Sequence, residues 1–275
     1  MGAGLDTVKR NYSPRVEDEW NRLVMDPYHR LEYETTHRFL NKYLPKKGLI
    51  LDAGGGPGRY TIDLAKAGHH MVLLDPVPAH LEYARKKIIK SGVASRVEDV
   101  IEGTITDLSR YKTGTFNSVI CLGGPLSHVE TEKLRRKAVS ELFRVVKTGA
   151  PVFISVMSRY GVLLSTPRGW PREVGLTGHF RDIVFRCNDT RWRGKGFCHF
   201  FTSKELRVMV ERQSASILDM VGLEGLLANE DAGNEFAEKQ PRAWKNWRSI
   251  HDQICTDPFV VDASAHMMII ARKKG

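Results

Sequence analysis

A glycine-rich loop between two short apolar segments constrains the fold of this chain more than any other feature. Residues 49–51 form an apolar run, and Asp52 then leads into the loop AGGGPG at residues 53–58. Apolar residues at helical spacing follow the loop, and a second apolar run at residues 71–74 ends on Asp75. This pattern is half of a nucleotide-binding doubly wound α/β sheet: a strand, a glycine loop, a helix and a second strand that ends on an acid.

The loop and its two acids favour a cationic adenosyl cofactor over a dinucleotide. Glycines in the loop let the backbone pass close to a ligand, and Asp75 stands where a carboxylate can accept the hydroxyls of a ribose. A dinucleotide fingerprint needs a further glycine at position 59, where this chain has arginine. Asp52 would repel a pyrophosphate but suits an amine. The pattern predicts S-adenosylmethionine (SAM) as the cofactor and disfavours a nicotinamide dinucleotide.

The segments LDAGGGPGRYT at residues 51–61 and LLDP at residues 73–76 resemble motif I and the acidic second-strand end of class I SAM-dependent methyltransferases. The resemblance covers residues 49–157 well and the end of the chain more weakly. It implies a Rossmann-like fold and transfer of a methyl group from SAM. It also implies a set of cofactor-binding residues: Asp52 at the methionine amine, Asp75 at the ribose, Leu122 and Gly123 beside the methionine and the methyl group, and Ala53, Gly54, Gly56, Gly58, Pro76, Thr104 and Ile105.

Thr104 departs from the pattern of the family that the chain resembles. An aspartate usually follows the glycine of this loop and accepts a hydrogen bond from the adenine amino group, whereas Thr104 follows Gly103 here. The hydroxyl of Thr104 or the carboxylate of Asp107 can replace it, and backbone contacts from Ile105 are expected in either case.

The order of the remaining apolar segments extends the half sheet to seven strands, mostly parallel, with the last strand antiparallel beside the sixth. Residues 1–12 are expected to be flexible. The predicted parts are a helical cap at residues 1–47, a SAM-binding core at 48–157, a lid or substrate insertion at 158–198, and the rest of the core at 199–275 with a helical insertion at 224–258.

Composition limits the class of protein. A hydrophobic fraction of 41% with 27% charged residues is ordinary for a soluble enzyme. The sequence has no apolar run near the ~18 residues of a membrane span, and residues 1–13 lack the apolar region of a signal peptide. Four cysteines without paired spacing indicate reduced thiols and a cytoplasmic protein. The sequence offers no obvious acidic cluster for a metal, so none is expected.

The basic charge balance leaves the acceptor open. With 42 basic against 32 acidic residues, the net charge is +10, which can attract nucleic acid. We favour a small-molecule acceptor because the chain has no recognisable RNA-binding module. After the fourth predicted strand it has GGPL instead of the NPPY or DPPY motif that RNA amino-methyltransferases often carry, which counts against methylation of an exocyclic amine on a base. The alternatives are a non-catalytic SAM-binding module and an RNA or protein methyltransferase. The second of these predicts one basic patch of Arg168, Arg172, Arg191, Arg193 and Lys195. The sequence does not indicate the oligomeric state.

Methyl transfer to a hydroxyl, thiol or ammonium requires a proton acceptor, which typically contributes 10²–10⁴-fold to the rate. His128, just beyond the fourth predicted strand, is the first candidate, and His199 and His179 are weaker ones. Each histidine also fits a structural role. The N-terminal tyrosines have the same two interpretations, contact with cofactor or substrate or packing in the core: Tyr12, Tyr28 and Tyr33.

Overall fold

The computed structural model describes residues 3–190, 196–227 and 229–275, without the side chains of Ala3 and Arg168. Its N-terminal part is helical, with α1 at Ala3–Tyr12, α2 at Val16–Asn21 and α3 at Pro27–Tyr43. Asp26 caps α3 by accepting a hydrogen bond from the His29 N–H at 2.9 Å, and Pro27 occupies the first helical position. Both are standard helix-start signals.

The prediction that residues 1–12 are flexible is wrong, because most of this segment is helix α1. Leu5, Val8 and Tyr12 on α1 line a cavity at the edge of the sheet, and Lys9 pairs with Glu102 at 2.6 Å. An isolated helix of this length is marginal in water. Contacts with distant residues therefore hold α1 in place, and a local sequence pattern does not reveal them.

In the described part of the chain, seven strands form one sheet in the order β3-β2-β1-β4-β5-β9-β8. Strands β1 to β5 are parallel, and β9 is antiparallel to both of its neighbours. This confirms the predicted Rossmann-like sheet and the antiparallel pairing of the last strand with the sixth. The strands are β1 Leu49–Ala53, β2 His70–Asp75, β3 Val97–Glu102, β4 Ser118–Cys121, β5 Pro151–Met157, β8 Ala215–Gly222 and β9 His266–Lys273.

Apolar side chains pack on both faces of this sheet. Ile50 and Leu51 follow one another in β1 but belong to different core clusters, as alternate side chains of a strand must. Phe39 of α3 belongs to the same cluster as Ile50, and Leu142 to the same cluster as Leu51. The helices that follow the strands are α4 Arg59–Lys66, α5 Pro78–Lys90, α6 Glu132–Val145 and α10 Ser203–Glu211.

Two segments depart from the strand–helix alternation. After β5 come α7 Arg159–Gly169, α8 Pro171–Gly175, α9 Thr177–Arg181, a π-helix at Asp182–Arg186, and the short paired strands β6 Asn188–Asp189 and β7 Cys198–His199. After β8 come α11 Glu230–Lys239, α12 Pro241–Ile254 and α13 Pro258–Ala263. No helix among the described residues is long and apolar enough to cross a membrane.

Candidate functional site

Two adjoining cavities open at the carboxyl ends of the parallel strands, the edge at which doubly wound sheets hold their ligands. The first cavity lies beside the glycine loop and, with its open mouth, spans about 1030 Å³. The second lies between the N-terminal helices and the two inserted segments and, with its open mouth, spans about 1210 Å³. The two cavities share four wall residues, which are Tyr12, Glu19, Arg22 and Gly123. A ligand in one therefore lies next to a ligand in the other.

The glycine loop forms the floor of the first cavity. The Gly54 N–H donates to the Leu74 carbonyl oxygen at 2.7 Å, which ties the loop to the end of β2. Gly54 has φ +80°, and a Cβ there would lie 2.6 Å from Pro125 Cγ. A side chain at this position would be strained and would collide with a neighbour. The backbone can pass this close to a ligand only because residue 54 is glycine.

Asp75 lies on the wall of the first cavity and is held in place by the loop. Its carboxylate accepts hydrogen bonds from the N–H groups of Gly56 and Val77, both at 2.9 Å. His80 Nδ1 lies 3.3 Å from the same carboxylate. A carboxylate has about four lone-pair sites. These contacts orient Asp75 and still leave capacity to accept the hydroxyls of a ribose.

His80 is a cavity residue that the sequence analysis missed. It is buried on α5 and lines the first cavity, and its Nε2 has no hydrogen-bond partner among the described residues. A buried polar atom without a partner is uncommon, so it marks a place for a polar group of a ligand. The sequence signal is weak, because it consists only of a histidine in the first turn of the helix after Asp75.

Asp52 lies beneath the glycine loop and not on the cavity wall. Its Oδ2 accepts a hydrogen bond from Thr61 Oγ1 at 2.7 Å, and its carboxyl carbon lies 2.5 Å from where a Gly55 Cβ would be. Burial raises the pKa of Asp52 to about 7, opposed in part by the Thr61 hydrogen bond. Asp52 Oδ1 has no hydrogen-bond partner among the described residues, and direct contact with a methionine amine stays a prediction.

The other predicted cofactor residues divide into two groups. Ala53 is fully buried in β1, and Gly58, with φ +82°, packs against Leu73 and Ala84, so these two support the loop from behind. The structure brings most of the predicted residues together on the wall of the first cavity: Gly54, Gly56, Asp75, Pro76, Thr104, Ile105, Leu122, Gly123 and His128.

Tyr12 and His128 form a hydrogen-bonded pair where the two cavities meet. His128 Nδ1 lies 2.8 Å from the Phe197 carbonyl oxygen, which only accepts hydrogen bonds, so this nitrogen carries the proton. His128 Nε2 then accepts from the Tyr12 hydroxyl at 2.9 Å. Burial raises the pKa of Tyr12 well above its usual range, and the charge of Glu19 raises it further. Tyr12 lines both cavities, whereas His128 lines only the first.

The structure places the other two histidine candidates away from both cavities. His199 is buried, and both of its ring nitrogens have partners, Asn188 Oδ1 at 2.7 Å and Glu205 Oε1 at 2.8 Å. His179 pairs with Glu173 at 2.8 Å. His199 thus joins β7 to α10, a geometry that favours its structural interpretation over the predicted role as a base.

Two of the three N-terminal tyrosines face the cavities. Tyr12 lines both and Tyr28 lines the second. Tyr33 instead donates a hydrogen bond to Asp63 at 2.8 Å and packs on His37 and Tyr60.

A buried ion network supports the wall that the cavities share. Arg22 binds Glu32 through two contacts, the shorter at 2.6 Å. Burial alone would lower the pKa of Arg22 and raise that of Glu32, but their mutual attraction shifts both in the opposite direction. His266 lies 2.5 Å from Glu224 and 3.9 Å from Glu32. Burial lowers the pKa of His266, and the charges of Glu224 and Glu32 outweigh this and raise it above the ordinary value.

Two groups of described side chains have spacing that a metal ion could use: Asp26 with His29 and Glu230, and Glu32 with Glu224 and His266. In both groups the histidine is already bound to a carboxylate, at 2.8 Å to Asp26 and at 2.5 Å to Glu224. These geometries are those of ion pairs. The expectation of a metal-free site stays a prediction.

The predicted basic patch falls mostly outside the described structure. Residues 191–195 contain three of its five members, and the side chain of Arg168 is not described either. Arg172 on α8 is exposed.

Comparison with known proteins agrees with this geometry. Residues 50–149 match the family model of a methyltransferase domain. The chain is 31% identical to a glycine/sarcosine N-methyltransferase of Parasynechococcus marenigrum over 52% of its own length and 49% of the relative. It is 32% identical to a ubiquinone biosynthesis O-methyltransferase of Hahella chejuensis over 40% of its length and 43% of the relative. The chain thus spans less than half of either relative.

A solved structure with the same fold is the 1,6-didemethyltoxoflavin-N1-methyltransferase of Burkholderia thailandensis. It has a TM-score of 0.59 and 14% identity over 98% of this chain and 88% of that one. Such low identity supports the fold alone. The family match shows that residues 50–149 form a methyltransferase domain, and the strand order shows that this domain lies in a Rossmann-like sheet.

Proposed function

We propose that this chain transfers a methyl group from SAM to a small-molecule acceptor. The observation that carries the proposal is the junction of the two cavities at Gly123. The first cavity has the glycine loop and the oriented Asp75 that suit an adenosyl group. The second cavity shares a wall with it and is of a size that suits a metabolite.

The residues of the first cavity fit SAM. Asp75 accepts the ribose hydroxyls, Thr104 and Ile105 contact the adenine, and Leu122 and Gly123 lie beside the methionine. The unpartnered Nε2 of buried His80 offers a further polar contact. Bound SAM supplies an electrophilic methyl group on a sulfonium. The protein mainly orients the reactants and excludes water, which can account for roughly 7–11 kcal/mol of the barrier.

Tyr12 and His128 remove the proton that the acceptor loses. Tyr12 lines the second cavity and donates its own proton toward His128 Nε2. As the Tyr12 hydroxyl passes its proton to His128, its oxygen accepts one from the acceptor. The hydrogen bond from Nδ1 to the Phe197 carbonyl oxygen stabilises the imidazolium that results. His128 is thus the base and Tyr12 its contact with the acceptor.

The predicted parts keep the following roles in this proposal. Residues 1–47 form a cap over the cofactor, and residues 158–198 and 224–258 enclose the acceptor on the core at residues 48–157. A cytoplasmic location agrees with cysteines that are free at all four positions.

The test is the conversion of SAM to S-adenosylhomocysteine (SAH) with labelled methyl over a metabolite extract. We expect SAM binding by the unmodified chain, labelled small-molecule product, and roughly 100-fold weaker binding by Asp75→Ala, which removes a carboxylate that makes several hydrogen bonds. Glu98→Ala, an exposed acid on β3, is the matched control and should bind SAM normally.

Three outcomes would contradict the proposal. Tighter binding of NAD than of SAM would indicate a dehydrogenase. SAM binding without turnover on any acceptor would leave a non-catalytic SAM-binding module. Label that enters RNA or protein, with binding that weakens steeply with salt, would favour a macromolecular acceptor.

A further inference from the structure

The charged side chains on the wall of the second cavity indicate which class of acceptor binds there. This inference rests on the proposed function. Three groups on this wall can carry positive charge, namely Arg22, His29 and His266. Each is paired with a carboxylate that does not line the cavity: Arg22 with Glu32 at 2.6 Å, His29 with Asp26 at 2.8 Å and His266 with Glu224 at 2.5 Å.

The wall itself carries three further carboxylates. Glu19 stands where the cavities meet, and Glu230 and Asp231 lie in the first turn of α11. Glu19 lies 3.8 Å from Arg22, and Glu230 lies 4.0 Å from His29. Among these described side chains, carboxylates outnumber cationic groups by six to three. The described side chains around the second cavity therefore carry an excess of carboxylates, although the chain as a whole is basic.

Apolar and aromatic groups make up much of the remaining wall. Tyr12, Tyr28 and Trp170 contribute rings, and Met157 and Val162 contribute aliphatic surface. Aromatic faces attract cations through the ring quadrupole. The wall thus offers both an apolar surface for the body of a ligand and favourable sites for positive charge.

We propose that the methyl acceptor is an amine with an apolar or aromatic body, methylated on nitrogen. The nitrogen lone pair forms the new N–C bond while the C–S bond breaks and its electron pair stays on sulfur. Positive charge thus moves from sulfur to nitrogen, into the carboxylate-rich cavity. Carboxylates that meet charge as it develops stabilise the transition state more than the ground state.

The carboxylates of the same wall disfavour methyl transfer to a hydroxyl or thiol acceptor. Such an acceptor reacts best as an anion, and the surrounding carboxylates disfavour an anion. Tyr12 illustrates this effect, since burial first and the charge of Glu19 next raise the pKa of its phenol. An amine that arrives as an ammonium ion loses one proton to Tyr12, which passes its own proton to His128. The nitrogen then regains a positive charge as the methyl group arrives.

Equilibrium dialysis against the SAH-saturated protein tests this inference with two probes of the same shape, 2-phenylethylamine and 2-phenylethanol. The amine is protonated at neutral pH and the alcohol is neutral. We expect the amine to bind roughly tenfold more tightly than the alcohol, because several carboxylates face a single positive charge. Equal binding of the two probes, or tighter binding of the alcohol, would overturn the proposal.

A double variant identifies the source of the preference. Glu230→Gln with Asp231→Asn should reduce the preference for the amine to about twofold or less, because the charge is removed and the shape is kept. Glu235→Gln is the control on the same helix, since Glu235 pairs with Lys239 on the surface. A preference that survives the double variant, with SAH binding intact, contradicts the proposal.

The labelled-methyl assay separates this inference from the proposed function. A cation-exchange step divides the extract into a retained fraction rich in amines and a flow-through rich in neutral and acidic compounds. Label confined to the retained fraction supports an amine acceptor. Label in the flow-through alone overturns the amine inference and leaves the methyltransferase proposal standing, whereas failure to bind SAM overturns the methyltransferase proposal.

Discussion

The two adjoining cavities differ in how their walls are assembled. The first cavity is built mainly from consecutive strand ends and loops of the sheet, with the glycine loop between β1 and β2 as its floor. The second draws its wall from α1, α3, the end of β5, α7 and α11, together with the start of β9. Apart from residues of the N-terminal helices such as Leu5 and Tyr12, the first cavity is lined by residues between Gly54 and Val129, whereas residues from the two ends of the described chain meet in the second. A family fold can thus keep its cofactor site while the acceptor site varies.

The largest effect should separate the two histidines that the sequence proposed as bases. His128→Ala should lower turnover by roughly 10²–10⁴-fold with SAM affinity retained, because it removes the proton acceptor behind Tyr12. His199→Ala should retain turnover in the protein that remains folded and should lower its thermal stability, since both ring nitrogens bind neighbours.

The comparison rests on steady-state rates and isothermal titration with SAM for both variants. Tyr12→Phe should resemble His128→Ala in rate. Normal turnover in His128→Ala would remove the base from the mechanism, and an equal loss of turnover in well-folded His199→Ala would remove the distinction between the two residues.

The second-largest effect is a loss of stability when the Arg22–Glu32 pair is broken, since this pair supports the wall that the two cavities share. Glu32→Gln leaves the partly buried Arg22 without its closest charge partner. Breaking a fully buried pair typically costs about 3–5 kcal/mol, which is the upper bound here. Urea unfolding should show this loss in the free energy of unfolding. Glu82→Gln, which breaks the exposed Glu82–Lys86 pair, is the control and should unfold like the unmodified chain. Equal midpoints for the two variants would show that the Arg22–Glu32 pair does not support the fold.

A smaller effect, on pH dependence, probes the carboxylate beneath the loop. The pKa of Asp52 is about 7, raised by burial, so the group is neutral below this pH and charged above it. SAM, which carries a net positive charge, should bind several-fold more tightly at pH 8 than at pH 6 through this group. Asp52→Asn should flatten that part of the profile, and an unchanged profile would show that Asp52 does not act on the cofactor.

The raised pKa of Asp52 also predicts how the stability of the ligand-free protein depends on pH. A folded-state pKa above the unfolded value of about 3.9 contributes stability at low pH that is lost as the pH rises from about 4 through 7. Asp52→Asn should therefore be more stable than the unmodified chain at pH 8 in thermal denaturation. The difference should shrink toward pH 4.

The smallest effect concerns the ring of His80. His80→Leu removes one long contact to Asp75, at 3.3 Å, and leaves the two backbone donors in place. We expect SAM affinity to fall by about three- to fivefold, the size of one modest hydrogen bond. A loss as large as that of Asp75→Ala would show that Nε2 makes a major contact with the cofactor.

The first cavity was predictable from sequence because its signals are local. A glycine loop that ends on a helix and an acid at the end of the next strand are short-range patterns with direct geometric meaning. They singled out Gly54, Gly56 and Asp75, all of which line the first cavity. The direction of the Asp52 side chain was not predictable in this way. It depends on Thr61, in the first turn of α4, and on the space beneath Gly55.

The second cavity was not predictable for the opposite reason. Glu230 and His266 meet Tyr12 across more than two hundred residues of sequence, and no periodicity or motif links them. The helix α1 was missed on the same grounds, since its apolar stripe has meaning only against the finished cavity. Lone histidines were ambiguous because the role of each depends on partners in distant elements, as the contrast between His128 and His199 shows.

The position of β9 between β5 and β8 has a consequence for how the chain matures during synthesis. The strands that carry the glycine loop emerge from the ribosome early and can pair with one another at once. His266, which completes the network with Glu32 and Arg22, emerges roughly 190 residues after Asp75. A nascent chain can thus acquire affinity for its methyl donor well before it has anywhere to hold the molecule to be methylated.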